Sequence, residues 1–283
     1  MTAVIPLAGR HATGDVARRI RDLGAGVAVV FPNSLGSALD VTFKGIPVRV
    51  GRCGRGRSLL LSRTTAAWRR SERRARYHQA THYLDVAALL GPVRRTTDMP
   101  RFTLPGREAA LERLGIAPAA APWLALAPGA AYGPAKQWPV GNFRKLAESW
   151  AGAGRRVVIV GGPGDAAAGA RIAEGLPHAL SLCGKTTLAE LMAVLSAARA
   201  CVANDSGAMH LAAALGTPGV ALFGSTNPEA TGPLGARWIV LAEPTDCAPC
   251  FAHTCRRREQ DYRCLTRISP ERALAALASL AEA

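Results

Sequence analysis

The sequence predicts an α/β protein whose parallel sheets are divided between two units. Three observations carry that expectation. Short apolar runs alternate with amphipathic stretches along most of the chain. The runs are continuous rather than alternating, as in strands buried on both faces. A proline-bearing stretch without periodicity, 92–107 (PVRRTTDMPRFTLPGR), interrupts the alternation and reads as a linker. The division gives an N-terminal unit over 1–105 and a C-terminal unit over 106–283, and regular βα units demand parallel strands joined by right-handed crossovers.

Along the first unit, residues 15–23 read as a helix with Val16, Ile20 and Leu23 on one face, ended by Gly24 and Gly26. Residues 27–31 (VAVVF) read as a buried strand closed by Pro32-Asn33-Ser34. A helix follows through Ala38 and Phe43, and Gly45-Ile46-Pro47 turns into a strand at 48–50. Residues 51–78 form a basic segment in which Arg69, Arg70, Arg73, Arg74 and Arg76 crowd around Trp68 and Tyr77. Residues 79–91 read as an amphipathic helix ending at Gly91.

In the second unit the spacing predicts strands at 123–128, 156–162, 200–205, 219–224 and 238–241. Helices are expected at 107–116, 143–153, 166–176, 188–198, 207–215 and 270–281, the last with Ser269 as its N-cap. No repeat at a solenoid period is present.

The chain has 283 residues, 49% hydrophobic and 19% charged, which suffices for a sizeable core and excludes a disordered chain. Lys and Arg number 35 against 20 Asp and Glu, a net charge of +15, which implies anionic partners: nucleic acid, nucleotides, phosphorylated sugars or an anionic membrane surface. A GC-rich genome explains the choice of Arg over Lys equally well, but not the surplus of positive charge. No apolar run approaches the roughly 20 residues of a membrane span. The opening residues have no charged segment ahead of an apolar stretch, so no export signal is expected. Seven cysteines then point to a reducing cytoplasm.

Five loops could carry chemistry. Asn204-Asp205-Ser206-Gly207-Ala208-Met209-His210 lies where a strand ends and a helix begins, the ligand-binding edge of an open parallel sheet. The helix start offers free N–H groups to a diphosphate. Gly207 lets phosphate approach the backbone, and Ser206 is able to cap the helix or donate to phosphate. Asp205 suits a ribose or backbone N–H groups, and His210 shares the first-turn face with Ser206. The competing reading is a plain N-cap with a core histidine. Pro128–Pro139 follows a strand in the same way and projects Lys136 as a point charge for phosphate; the alternative is a surface lysine in a turn. Gly161-Gly162-Pro163-Gly164-Asp165 lacks the G-x-G-x-x-G spacing, so Asp165 is read as the cap of the next helix. Residues 223–233 carry hydroxyls suited to a sugar or phosphate, or to a simple turn. Cys247, Cys250, Cys255 and Cys264 could surround zinc or another soft metal as a structural site, remain free thiols, or form disulfides.

The runs NDSGAMHLAAALGTPGVALFGSTNPEATGPLG, PGAAYGPAKQWP and PNSLGSALDVTFKGIPVRVG together resemble the ADP-heptose:lipopolysaccharide heptosyltransferases of glycosyltransferase family 9, most nearly the heptosyltransferase II branch. The resemblance covers nearly the whole chain. It implies a GT-B fold of two Rossmann-like domains, the C-terminal one holding ADP-heptose and the N-terminal one the lipid A-linked inner-core acceptor. The implied transfer is inverting and needs no catalytic metal or other cofactor. Carried over by position, Lys136 matches the lysine at the donor phosphates. Asp205, Ser206, Gly207 and His210 match the group around ADP, and Ala131, Tyr132 and Thr186 fall where nucleotide contacts are expected. The basic residues 52–76 would face acidic inner-core sugars and the anionic inner membrane, on its cytoplasmic side.

The sequence departs from the family at its start. Members open with a strand and a Gly-Asp loop whose aspartate is the expected general base, whereas this chain is expected to join the βα alternation about 50 residues later, with an incomplete N-terminal domain. Gly14-Asp15 follows no strand and opens a helix, so it is not read as a substitute. Gly36 stands where family members usually carry a bulkier or basic residue. Two other classes of function compete: a non-catalytic nucleotide-sugar binder, and a basic nucleic-acid binder with a four-cysteine metal knuckle. The last leaves the loops at 129–136 and 205–210 without a role, so no nucleic-acid partner is expected.

Overall fold

The computed structural model describes residues 14–54, 56–66, 77–94, 102, 104–116, 122–259 and 261–281. Trp68 and the arginines at 69–76 lie outside the described residues. The chain packs as two units, 1–96 and 97–283.

The first unit runs α1 (Gly14–Asp22), β1 (Val27–Val30), α2 (Leu35–Phe43), β2 (Val48–Gly51), β3 (Arg63–Thr64) and α3 (Gln79–Ala87). Its three strands are parallel in the order β1-β2-β3. The helix starts follow local chemistry: the Ser34 hydroxyl accepts from the Ser37 N–H at the start of α2, and His78 Nδ1 accepts from the Ala80 N–H at the start of α3. The β1 expectation needs correction. Only Val30 is buried, while Val27 and Val29 are 48% and 39% exposed, because β1 is an outer strand of the described sheet and its small core is Val30, Ala38 and Leu61. The basic segment also contains a strand, β3, that its composition hides.

The second unit runs α4 (Arg107–Arg113), β4 (Trp123–Ala127), α5 (Val140–Gly152), β5 (Arg156–Ile159), α6 (Ala166–Ala173), β6 (Ala179–Ser181) and α7 (Leu188–Ser196). It continues with β7 (Ala200–Asn204), α8 (Gly207–Ala214), β8 (Gly219–Phe223), α9 (Pro228–Thr231), β9 (Trp238–Ala242), α10 (Arg263–Thr266) and α11 (Pro270–Ala281). Six parallel strands lie in the order β6-β5-β4-β7-β8-β9. Every residue of β4, β7 and β8 is buried, as continuous apolar runs require of central parallel strands. Residues of β4 alternate between two cores. Leu124 and Leu126 pack with Trp138, Phe143 and Leu146 of the α5 side, and Trp123, Ala125 and Ala127 pack with Leu111, Val194 and Met209 of the opposite side.

That strand order has one reversal that matters for function. The chain leaves β4 for β5 on one side and leaves β7 for β8 on the other, so the loops after β4 and β7 diverge and open a crevice at their carboxyl ends.

Close packing within the sheet is most severe at Gly219. A Cβ there would lie 2.3 Å from the Cys201 carbonyl oxygen and 2.7 Å from the Trp238 ring. Gly219→Ala is therefore expected to destabilise the second unit by about 1–3 kcal/mol. Urea unfolding followed by tryptophan fluorescence measures it, and an unchanged midpoint would show that the sheet opens freely at this position.

Candidate functional site

The two loops flanking the crevice are tied together by one side chain. Asn204, the last residue of β7, is fully buried. Its Oδ1 accepts from the Trp138 N–H at 3.0 Å, and its Nδ2 donates to the Pro128 carbonyl at 2.6 Å. Both ends of the 128–139 loop are thus fixed to β7. Trp138, also buried, donates from Nε1 to the Ile268 carbonyl at 2.9 Å and packs edge-on against Phe143. At the loop's start Gly129 leaves no room for a Cβ, which would fall within 2.6 Å of the Asp165 carboxylate. Asp165 does not cap α6 with its side chain, as the sequence suggested. Its Oδ2 instead turns back to accept from the Gly162 N–H at 2.8 Å and closes the tight turn after β5.

Within the loop, a short 3-10 turn at Pro134–Lys136 aims the lysine at β7. Lys136 Nζ lies 2.6 Å from Asp205 Oδ2, and the Thr226 hydroxyl, past β8, donates to the same oxygen at 2.6 Å. The two charged side chains are only 14% and 4% exposed. In this structure Asp205 Oδ2 thus serves the lysine and Thr226. Thr226 belongs to the hydroxyl-bearing turn after β8, and its partner is this aspartate. Lys136 also lies 5.1 Å from the centre of the Tyr132 ring, whose hydroxyl donates to the Phe251 carbonyl at 2.8 Å.

Beside the ion pair, Ser206 stands at the N-cap of α8 with extended backbone, yet its hydroxyl makes no cap bond. Its Oγ is buried without a hydrogen-bond partner, an unusual state for a polar atom. A Cβ on Gly207 would touch nothing within 4 Å, so open space lies before the helix start. His210 is exposed one turn later, which removes the core-histidine alternative. Thr186 is half-buried past β6, at the same carboxyl edge but three strands from β7, and Ala131 is exposed beside Tyr132. Lys136 thus contacts Asp205 and lies beside the Tyr132 ring, with Ser206 and Gly207 next in the chain after Asp205; Thr186 sits further along the edge. An ammonium, free helix N–H groups and an unsatisfied hydroxyl at one point suit an anionic group.

In the first unit the structure picks out Arg57, a residue that composition could not separate from the other arginines of its segment. Its side chain is 1% exposed, and Nε and Nη2 have no partner, while Nη1 reaches Asn33 Oδ1 at 3.4 Å. Burial first, then the Arg52 charge, pushes its pKa below the usual guanidinium value. Arg57 lies beside Asn33 and Gly51, at the carboxyl ends of β1 and β2. Asp15, by contrast, is exposed on α1 and ion-paired with Arg18.

All seven cysteines are free thiols. Cys247, Cys250, Cys255 and Cys264 line one cavity of about 200 Å³. Among the described residues, however, no group of three or more His, Cys, Asp or Glu side chains is placed to hold a metal ion. Within that cavity Cys264, on α10, is part of the core, whereas Cys247 is exposed beside the Thr245 hydroxyl.

Two outcomes follow from this geometry. Asn204→Ala leaves the Trp138 N–H and the Pro128 carbonyl buried without partners, which is expected to cost about 2–4 kcal/mol in urea unfolding; a loss below measurement would show that water replaces the amide. Burial pushes the Cys201 thiol up to about 12. Burial, then the thiols of Cys250, Cys247 and Cys255, takes Cys264 to about 11, and burial raises Cys183. A disulfide reagent at pH 8 should therefore label Cys53, Cys247, Cys250 and Cys255 in the native protein and reach the other three only after denaturation. Equal labelling rates for all seven would contradict this burial.

Residues 14–260 match glycosyltransferase family 9 (heptosyltransferase). The chain is 32% identical to lipopolysaccharide heptosyltransferase 2 of Escherichia coli K12, over 98% of this chain and 83% of that protein. It is 31% identical to lipooligosaccharide heptosyltransferase 2 of Haemophilus influenzae, over 83% and 69% of the two chains. Among solved structures, E. coli ADP-heptose LPS heptosyltransferase II matches with a TM-score of 0.79 at 29% identity, covering 95% of this chain and 81% of that one. An E. coli heptosyltransferase solved with ADP shares the fold, with a TM-score of 0.64 at 21% identity and coverage of 94% and 76%. The chain has the GT-B fold and belongs to glycosyltransferase family 9, the heptosyltransferases.

Proposed function

We propose that this chain transfers heptose from ADP-heptose to the lipid A-linked inner core of lipopolysaccharide, with inversion at the anomeric carbon. The observation that carries the donor assignment is the contact of Lys136 with Asp205 beside the unsatisfied Ser206 hydroxyl at the start of α8. In the transfer, an acceptor hydroxyl attacks the anomeric carbon as its bond to the β-phosphate breaks. ADP leaves with added negative charge. Lys136 and the α8 N–H groups stand where that charge develops, and preorganised donors in a dry site stabilise it without reorganisation.

Asp205 sets the rest state of the lysine. It holds the ammonium in place through a buried pair that Thr226 completes, and an arriving diphosphate shares that ammonium with Asp205. Tyr132, Ala131, Thr186 and His210 are assigned to nucleotide contacts around this centre. Leaving-group stabilisation falls to Lys136 and the start of α8, and the proposed transfer calls on no cofactor. The four cysteines are assigned no zinc. A carboxylate base should take the acceptor proton; we assign none, because Asp15 is exposed and paired with Arg18.

The acceptor is assigned to the first unit, where Arg57, buried with Nε and Nη2 unpartnered, would offer donors to a phosphate or carboxylate of the inner core once the side chains over it move aside. The net charge of +15 favours the same anionic acceptor and contact with an anionic membrane surface on the cytoplasmic side.

Calorimetric titration with ADP-heptose, ADP and UDP-sugars tests the donor assignment. Binding selective for the ADP compounds is expected, weakened about tenfold to a hundredfold in Lys136→Ala, the range for losing one charge-assisted contact. Folded protein that binds no nucleotide sugar would overturn it.

A further inference from the structure

The cysteine-bearing segment joins β9 to α10 and leaves the sheet at its carboxyl edge, the same edge as the Lys136 loop. It is fixed to that loop and its neighbour by three hydrogen bonds. The Phe251 N–H donates to the Ser225 carbonyl at 2.7 Å, the Ala135 N–H donates to the His253 carbonyl at 3.1 Å, and Tyr132 donates to the Phe251 carbonyl. Phe251 has φ 54, a left-handed conformation that a residue with a bulky side chain takes only when its surroundings impose it. Those bonds impose it, and they place the next side chains over the loop.

His253 lands on Gly133. A Cβ on that glycine would fall 2.7 Å from the imidazole Cε1 and Nε2, and Gly133 itself has φ 140, so glycine is required there twice over. The imidazole lies 5.7 Å from the centre of the Tyr132 ring, the same ring that lies 5.1 Å from the Lys136 ammonium. The ring nitrogen Nδ1 is 3.5 Å from the Thr254 hydroxyl. The side chain is exposed. An apolar packing role does not account for an exposed imidazole set this closely on the lysine loop.

We propose that His253 is a second phosphate-contacting residue of the donor site: its imidazole meets the diphosphate of a nucleoside-diphosphate donor on the outer side of the Lys136 loop. The cysteine-bearing segment then belongs to the donor site, with its backbone carbonyls setting Tyr132 and Ala135 and its one histidine reaching the ligand. This inference rests on the donor reading given above.

Calorimetry with ADP and with adenosine, which lacks the phosphates, tests it on the wild-type chain and on Lys136→Ala, His253→Ala and His253→Gln. His253→Ala should weaken ADP about tenfold and leave adenosine unchanged, and His253→Gln, which keeps a side-chain N–H donor, should retain most of the ADP affinity. The Ala135 bond goes to the His253 backbone carbonyl and survives both substitutions. An equal loss for ADP and adenosine would assign His253 a structural role and overturn the proposal. ADP binding weakened by Lys136→Ala but untouched by His253→Ala would overturn the proposal alone and leave the donor reading standing. A wild-type chain that binds no ADP would remove the donor reading and this inference together.

Discussion

Asn204 uses both ends of a buried amide to hold the loop that follows β4 against the end of β7. Strand order alone separates those two loops; it does not set their distance. With the amide bonded at Pro128 and at Trp138, the loop between them has a fixed start and a fixed end. Its glycines and prolines then leave Lys136 a single direction, toward the residue that follows Asn204 in the chain. Asp205, Ser206 and Gly207 owe their register with Lys136 to that residue together with the bonds that hold Ala135 to His253 and Ser225. A water-filled gap in its place would leave the ammonium free to move, and a mobile ammonium stabilises developing charge poorly.

The ion pair that results is nearly dry. Burying two charges costs solvation that their attraction repays only with good geometry and further hydrogen bonds. Thr226 supplies one of those bonds to the aspartate. The Tyr132 ring, 5.1 Å from Nζ, gives the ammonium a π face beside the carboxylate. The pair keeps the lysine desolvated and aimed before any ligand arrives. Next to it, the Ser206 hydroxyl has no partner, although a serine at an N-cap ordinarily finds one within its own helix. Stability is given up at the position where an anion would bring it back.

The same pattern recurs in the first unit. Arg57 is buried with two of its nitrogens unsatisfied at the carboxyl ends of β1 and β2. Each unit thus carries an unfilled hydrogen-bonding group at the edge of its parallel sheet where ligands bind. In the second unit the segment after β9 adds a third loop to that edge, locked there by hydrogen bonds rather than by secondary structure.

Much of this was legible in the residues. Period and strand-end glycines marked β4, β5, β7 and β8, since a central parallel strand must be apolar on both faces. Loops at strand ends pointed to Lys136 and to the run from Asp205 to Gly207, because helix starts after strands are where anions bind. β6 and β3 escaped, being three and two residues long without an apolar run. The exposure of β1 escaped too, because a run of valines looks the same at an outer strand as in the middle of a sheet. Spacing suggested that the four cysteines gather, and they do share a cavity, but spacing says nothing about where thiols point. The contacts that build the candidate site join residues far apart in the chain. Trp138 and Asn204 are 66 positions apart, Asp205 and Thr226 are 21, and Tyr132 and Phe251 are 119. Local chemistry along the chain marks which loops lie at the carboxyl edge of the sheet. Which side chains within them meet, and which are left unsatisfied, is a property of the packed sheet, because a hydrogen bond depends on distances that sequence separation does not contain.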